Sequence, residues 1–179
     1  KRDPRPFLQA LHDSGLDVVA RFLGDFRSAD REWAVQLGLG DRLELIPYAP
    51  RATSLALQRD SEALLLLIPE AGGRGKGVLS GKVFEYLAAE RPVLAVVPPD
   101  GAAAGLVRET GAGVVAPPED VGAIAEALGD LHGRWRAGQL DGTPGWSVLA
   151  VDGTGSPITT LVETAPRPGT TVATGLDLA

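Results

Sequence analysis

No cysteine occurs among the 179 residues. That excludes a disulfide framework, a thiolate metal site, an iron–sulfur cluster and a cysteine nucleophile. Methionine is absent too, even at position 1, and the chain opens Lys1-Arg2-Asp3-Pro4, which predicts a fragment or a processed product. Aromatic residues make up only 5%, so aliphatic residues and alanine must build the core. The chain is 44% hydrophobic and 22% charged, a globular composition. Positive charge is in deficit: the formal net charge is −6 and the pI about 4.9. Nonspecific nucleic-acid binding, which needs basic surface to displace counterions, is disfavoured. Long apolar runs are also lacking. The longest, residues 63–69, is far too short for a bilayer and has the length of a buried strand. No signal peptide is visible, so the expected location is the cytoplasm.

What is present divides in two. Residues 1–137 hold 16 of the 17 basic residues but only two threonines, Thr53 and Thr110. Residues 138–179 hold eight threonines, seven glycines and one basic residue, Arg167. Such a shift marks a boundary.

The first part alternates helix and strand. Asp3 and Pro4 predict a helix start, with Pro4 at the first helical position, and Gly15 a stop. Strands are expected at 17–23, 42–47, 63–68, 93–97 and 113–116, and helices at 31–37, 52–58, 82–89, 102–109 and 121–136. The runs Ala63-Leu64-Leu65-Leu66-Leu67-Ile68 and Val93-Leu94-Ala95-Val96-Val97 are apolar at every residue, as in parallel strands covered on both faces. This spacing predicts an α/β fold with a parallel, doubly wound, Rossmann-like sheet. Its ligands bind beyond the carboxyl ends of the strands. The series opens on a helix, so the expectation is a sheet lacking its first strand, with an exposed edge. The tail reads as β-rich and loosely appended. Residues 146–151 and 158–163 flank the turn Asp152-Gly153-Thr154-Gly155 as a hairpin, and 170–174 follow a further turn.

The sharpest segment is 70–92, a Gly-rich loop that leads from a buried strand into a helix. Gly72, Gly73, Gly75, Gly77 and Gly81 allow close backbone approach to a ligand. Ser80 is positioned to cap the helix, whose N-terminal N–H groups suit a phosphate. Lys82 adds a charge in the first turn, and Glu85, three residues on and on much the same face, can accept from a ribose diol. A plain loop with a surface Lys–Glu pair fits the same spacing. The loop Pro47-Tyr48-Ala49-Pro50-Arg51 suits either a base pocket or a proline-shaped turn. Other chemistries lack support. Neither Gly75-Lys76 nor Gly81-Lys82 is followed by the Ser or Thr of a P-loop. The pattern Gly111-Ala112-Gly113 sits between a helix and a strand, the reverse of a dinucleotide site. His12 and His132 have no third ligand, so no metal site is expected. Ser80, Ser147 and Ser156 have no nearby His and carboxylate for a triad.

The run Gly81-Lys82-Val83-Phe84-Glu85-Tyr86-Leu87-Ala88-Ala89, then Arg91-Pro92-Val93-Leu94-Ala95, resembles the C-terminal half of family 4 retaining glycosyltransferases of the GT-B fold. Arg2-Asp3-Pro4-Arg5-Pro6-Phe7-Leu8 is similar to the first helix of that half. Gly111-Ala112-Gly113-Val114-Val115 with Pro118-Glu119-Asp120 resembles its closing part. The resemblance covers residues 1–143 and implies a nucleotide-sugar-binding domain. It implies Glu85 on the donor ribose, Ser80, Gly81 and Lys82 facing the diphosphate, and Tyr48 beside the base. The family pairs two glutamates with seven residues between them; the first would fall at Gly77, where this chain has none. Arg74 and Lys76 are candidates for the diphosphate clamp. The implied reaction is glycosyl transfer with retention from a nucleotide-diphosphate sugar as substrate, with no metal or other cofactor. The implied partner is an N-terminal acceptor domain, without which turnover is not expected.

Residues 144–179 are similar to the stretch before the transpeptidase domain of penicillin-binding proteins, through Trp146-Ser147-Val148-Leu149-Ala150-Val151-Asp152 and 168–177. The Ser-x-x-Lys nucleophile of that domain is absent. The expectation is a join of two origins near Pro144. Two alternatives stand beside the glycosyltransferase reading: a non-catalytic α/β nucleotide-binding module, and a piece of a penicillin-binding-protein fusion.

Overall fold

The computed structural model describes residues 2–140 and 147–151. Twelve elements follow in order: α1 (Arg5–Ser14), β1 (Val19–Leu23), α2 (Ser28–Gln36), β2 (Leu43–Ile46), α3 (Arg51–Arg59), β3 (Ala63–Leu67), α4 (Gly81–Ala88), β4 (Val93–Val96), α5 (Ala102–Glu109), β5 (Gly113–Ala116), α6 (Val121–Arg136) and β6 (Ser147–Val151). All six strands lie parallel in one sheet, in the order β2-β1-β6-β3-β4-β5. No described helix is long and apolar enough to cross a membrane.

The apolar strands explain the layering. In β3, Ala63 and Leu65 join a core with α1, α2 and α6, while Leu64 and Leu66 join a second core with α4 and α5. β4 alternates likewise, with Leu94 and Val96 on the first face and Val93 and Ala95 on the second. A strand apolar on every residue is therefore buried on both faces, as its sequence requires. Handedness accounts for the split of the helices. The connection from β1 to β2 runs one way along the sheet, and those through α3, α4 and α5 run the other. Right-handed crossovers in opposite directions lie on opposite faces. The main packing between helices is α1 on α6, through Phe7, Leu8 and Leu11 against Ile124, Leu128 and Leu131, all at most 1% exposed.

The tail strand is where expectation and structure part. The sheet does not lack a strand, and the position in question is not an edge. β6 fills the slot between β1 and β3, pairing over five residues with β1 (Val19↔Ser147 to Leu23↔Val151) and over two with β3 (Ala63↔Val148, Leu64↔Leu149). It joins a two-stranded and a three-stranded block into one sheet. It is thus a central parallel strand and not one arm of a hairpin. The boundary expected near Pro144 from the two resemblances lies outside the described residues. The physical reason is local. Val148-Leu149-Ala150-Val151 is apolar on successive residues, as a strand covered on both faces needs, and Ala150 is 8% exposed. The route from β5 through α6 back to β6 also obeys the handedness rule, because α6 lies on the α2 face. The expected second arm at 158–163, the strand at 170–174 and the rest of the tail fall outside the described residues.

Smaller differences lie at element ends. Pro4 occupies the N-cap of α1, one place before the expected first helical position, and Asp3 Oδ1 accepts from the Arg5 N–H at 3.0 Å. α2 begins at Ser28, three residues earlier than expected, which places Asp30 in its first turn.

The central position of β6 yields a test. Leu149 pairs with Arg21 on one side and Leu64 on the other. Leu149→Pro takes an N–H from the ladder and forces the ring between paired strands. The expected loss is about 3 kcal/mol or more, taking the helix-interior figure as a guide. That is a fall in Tm of about 6–12 °C for a chain of this size. A thermal melt of Leu149→Pro that overlays the parent would show that the strand does not hold this slot.

Candidate functional site

Two strand-to-helix loops and the starts of α3 and α4 meet at the carboxyl end of the sheet. From β3 the chain passes through a tight turn over Ala71–Gly77 before α4 begins. The Gly73 and Gly75 N–H groups both donate to the Glu70 carbonyl, at 3.0 and 3.1 Å. Gly72 and Gly73 take φ of 62° and 85°, a backbone that favours glycine. At Gly75 the close approach is to the chain itself, not to a ligand. A Cβ there would stand 2.0 Å from the Pro69 carbonyl oxygen. Gly77 and Gly81 face open space, with no atom within 4 Å of a Cβ placed on either.

The two cations of this loop are engaged. Lys76 Nζ donates to Asp100 Oδ2 at 2.6 Å, across to the loop after β4. That hydrogen bond raises the Lys76 ammonium and lowers the Asp100 carboxyl from their ordinary values. Arg74 Nε donates to the Ala71 carbonyl at 3.2 Å.

α4 is oriented by its inner face. Val83 and Tyr86 are buried, and the Tyr86 hydroxyl donates to the Leu65 carbonyl of β3 at 3.4 Å. Lys82 and Glu85 are carried beside that face, with side chains 16% and 22% exposed. Lys82 Nζ donates to Glu85 Oε2 at 2.9 Å. Two residues of α3 complete the cluster. Gln58 Nε2 lies 3.5 Å from Glu85 Oε2, and Arg51 Nη2 lies 3.7 Å from Oε1. Burial pushes the Glu85 carboxyl up, but the bond and charge of Lys82, with Gln58 and Arg51, outweigh it and hold the group below the ordinary glutamate range. Ser80 occupies the N-cap position but makes no capping bond, contrary to expectation. The Val83 N–H, a donor that the cap would take, is bonded to the Ser80 carbonyl at 3.0 Å. The Ser80 hydroxyl is left buried without a hydrogen-bond partner among the described residues.

Of the residues singled out from sequence, Ser80, Gly81, Lys82 and Glu85 therefore come together at the start of α4. Gly77 closes the preceding turn, and Tyr48 stays exposed in the loop between β2 and α3. An open groove of about 470 Å³ runs between α3 and α4, bounded by Arg51, Leu55, Gly81, Phe84 and Glu85. A second recess of about 100 Å³ opens over the carboxyl ends of β1, β6 and β3, against Leu23, Ala150 and Leu67. This is where chain direction reverses along the sheet, the position at which doubly wound folds bind ligands. A smaller recess links Leu67 and Ala150 to Lys82.

Sequence reasoning missed Gln58 and Asp30, and placed Arg51 only in the loop over 47–51, not beside Glu85. Asp30 is 1% exposed and lies beside the second recess. It accepts from Arg5 Nε at 2.9 Å and from Arg27 Nε, so α1 and α2 are tied through one buried carboxylate. The i,i+3 spacing of Arg27 and Asp30 was the available signal, but the helix was expected to begin after it. His132 is half-buried. Burial first, and Arg136 second, lower its imidazole against a smaller opposing effect of Asp17. Among the described residues no three His, Asp or Glu side chains converge to hold a metal ion.

No family model, curated protein or solved structure matches this chain.

Two predictions follow from the geometry. Gly75→Ala places a methyl against a backbone carbonyl that cannot rotate away, so the loop must move, at about 1–3 kcal/mol for overpacking. Gly77→Ala meets open space and should leave the melting curve in place; equal behaviour of the two variants would contradict this packing. The second concerns pH. Glu85 titrates lower in the folded chain than in the unfolded one, so its contribution is complete above the unfolded midpoint, about 4.3 for a free glutamate. It is lost as pH falls through the lower, folded midpoint. The parent should melt above Glu85→Gln at neutral pH, and the gap should close in acid. A gap constant with pH would refute the pairing.

Proposed function

We propose that this chain is the donor-binding half of a retaining glycosyltransferase of the family 4, GT-B type, holding a nucleoside-diphosphate sugar at the start of α4. The observation that carries the reading is the ionised, half-buried Glu85 one turn inside that helix, braced by Lys82 and bordered by Arg51 at the mouth of the α3–α4 groove. A carboxylate so held accepts hydrogen bonds from vicinal hydroxyls, the ribose diol of the donor. The Gly81 and Lys82 N–H groups at the start of α4 and the open backbone at Gly81 suit the diphosphate. The loop carrying Tyr48 flanks the base. In the reaction the bond from the anomeric carbon to the diphosphate breaks, and one to an acceptor oxygen forms on the same face. This half stabilises the departing diphosphate with fixed N–H dipoles and side-chain charge. The acceptor and its proton belong to an N-terminal acceptor domain, so the 179-residue chain alone does not turn over. The nucleotide sugar is a substrate, and neither a metal nor another cofactor enters the scheme.

One observation favours a second reading, a nucleotide-binding module without glycosyl transfer. Gly77 stands where the family has its first glutamate, so the sugar end of the donor meets open space and no carboxylate.

Calorimetric titration with a panel of nucleoside diphosphates and their sugar conjugates separates the two. Glu85→Gln should retain its circular dichroism spectrum and lose about tenfold in affinity, the scale of one hydrogen bond to a charged group. Preference for the conjugates supports the transferase, and equal affinity for the bare nucleotides supports the module. Undiminished binding by Glu85→Gln would sink both.

A further inference from the structure

Resting on the donor-site reading above, we infer that Gln58 is a positioning residue that locks the Glu85 carboxylate, so that Oε1 alone is presented to the ligand hydroxyls. α3 carries Ser54 and Gln58 one turn apart on its inward face, 8% and 0% exposed. Gln58 Nε2 donates to Ser54 Oγ at 3.2 Å and to Glu85 Oε2 at 3.5 Å. Lys82 Nζ takes the same Oε2 at 2.9 Å. One carboxylate oxygen is thus pinned from two helices, and the group cannot rotate without breaking both contacts. Oε1 keeps its lone pairs, with the 64% exposed Arg51 guanidinium 3.7 Å away. Glu85 borders the groove shared with Gly81 and Phe84.

The oxygen of the Gln58 amide supplies an independent argument. Oε1 of Gln58 is buried without a hydrogen-bond partner among the described residues. An unmet buried acceptor lowers stability, and an apolar side chain of similar size would not carry it. An amide kept there at that disadvantage, with its other end turned to Glu85, serves the carboxylate and not the core. The charged groups facing Glu85 are Lys82 on its own helix and Arg51 on α3, with Arg59 further along the same groove. Gln58 is the neutral member of the set.

The test compares the parent chain with Gln58→Leu and Gln58→Glu. The Glu85 carboxyl is titrated by carbon-detected NMR without ligand, and binding of a nucleoside diphosphate is compared with that of its 2′,3′-dideoxy analogue. In Gln58→Leu the Glu85 midpoint should rise, Tm should hold or increase, and the preference for the diol should drop about tenfold. In Gln58→Glu a second carboxyl beside Glu85 should give two coupled steps, one of them raised. An unmoved Glu85 midpoint in Gln58→Leu, or an unfolded Gln58→Leu with a single unshifted Glu85 step in Gln58→Glu, overturns the inference and returns Gln58 to the core. Should the parent bind neither nucleotide, the donor-site reading fails by itself. The ligand-free titration then still decides the role of Gln58.

Discussion

A parallel sheet tolerates no vacancy between two of its strands. β1 and β3 each carry backbone N–H and C=O groups toward the space between them, and helices cover both faces, so water cannot satisfy those groups. Whatever occupies that space must be extended, parallel and apolar on successive residues. β6 meets all three conditions, and pairing on both of its sides turns two blocks of strands into one sheet. The register of β1 against β3, and with it the relative height of the α2, α3 and α4 starts, depends on this one strand.

The site follows from that register. Right-handed crossovers in opposite directions leave a crevice at the carboxyl ends of β1, β6 and β3. On one side of it the Asp30 carboxylate, bonded by Arg5 and Arg27, fixes α1 to α2. On the other side Tyr86 fixes α4 to β3 and so sets where Lys82 and Glu85 stand. The Lys82–Glu85 pair projects from a helix whose inner face is buried, and it meets a second helix, α3, along an open groove. A site built this way needs few specialised residues, because the scaffold supplies the backbone N–H groups and the position.

Much of this was legible in sequence. β3 and β4 announce themselves by apolar residues at every position. α5, β5 and α6 begin and end where their patterns begin and end. The Lys82–Glu85 pairing follows from i,i+3 spacing, and the structure forms it. β6 carried the same signal as β3, an unbroken apolar run, yet it lay beyond a compositional shift and beside a turn sequence that suggested a hairpin. Periodicity states that a strand is buried, and it does not state between which neighbours. Gln58, and Asp30 once α2 was expected to begin too late, were missed for another reason. A glutamine or aspartate in a polar helix reads as solvent-facing, and only the packing of α3 on the sheet, or of α1 on α2, makes it an interior group. The Ser80 cap failed because residue type permits a capping bond without deciding whether the backbone carbonyl takes the donor first.

The polar groups left unmet show where the scaffold has been shaped by something other than stability. Three buried side-chain atoms lack a partner among the described residues: Arg21 Nη1, Gln58 Oε1 and Ser80 Oγ. Arg21 alternates with Ala20 and Phe22, which face α1 and α6, so it points to the face that α3 covers. Gln58 lies on α3 itself, and Ser80 at the start of α4. All three therefore fall in the half of the molecule that holds Glu85. On the opposite face the buried carboxylate of Asp30 has both oxygens bonded. Unsatisfied groups scattered at random would mark only loose packing. Two of the three, Gln58 Oε1 and Ser80 Oγ, lie on the two helices that meet at Glu85, whereas Arg21 is bonded through its other nitrogens to Glu44; an unmet buried polar group calls for an explanation other than stability.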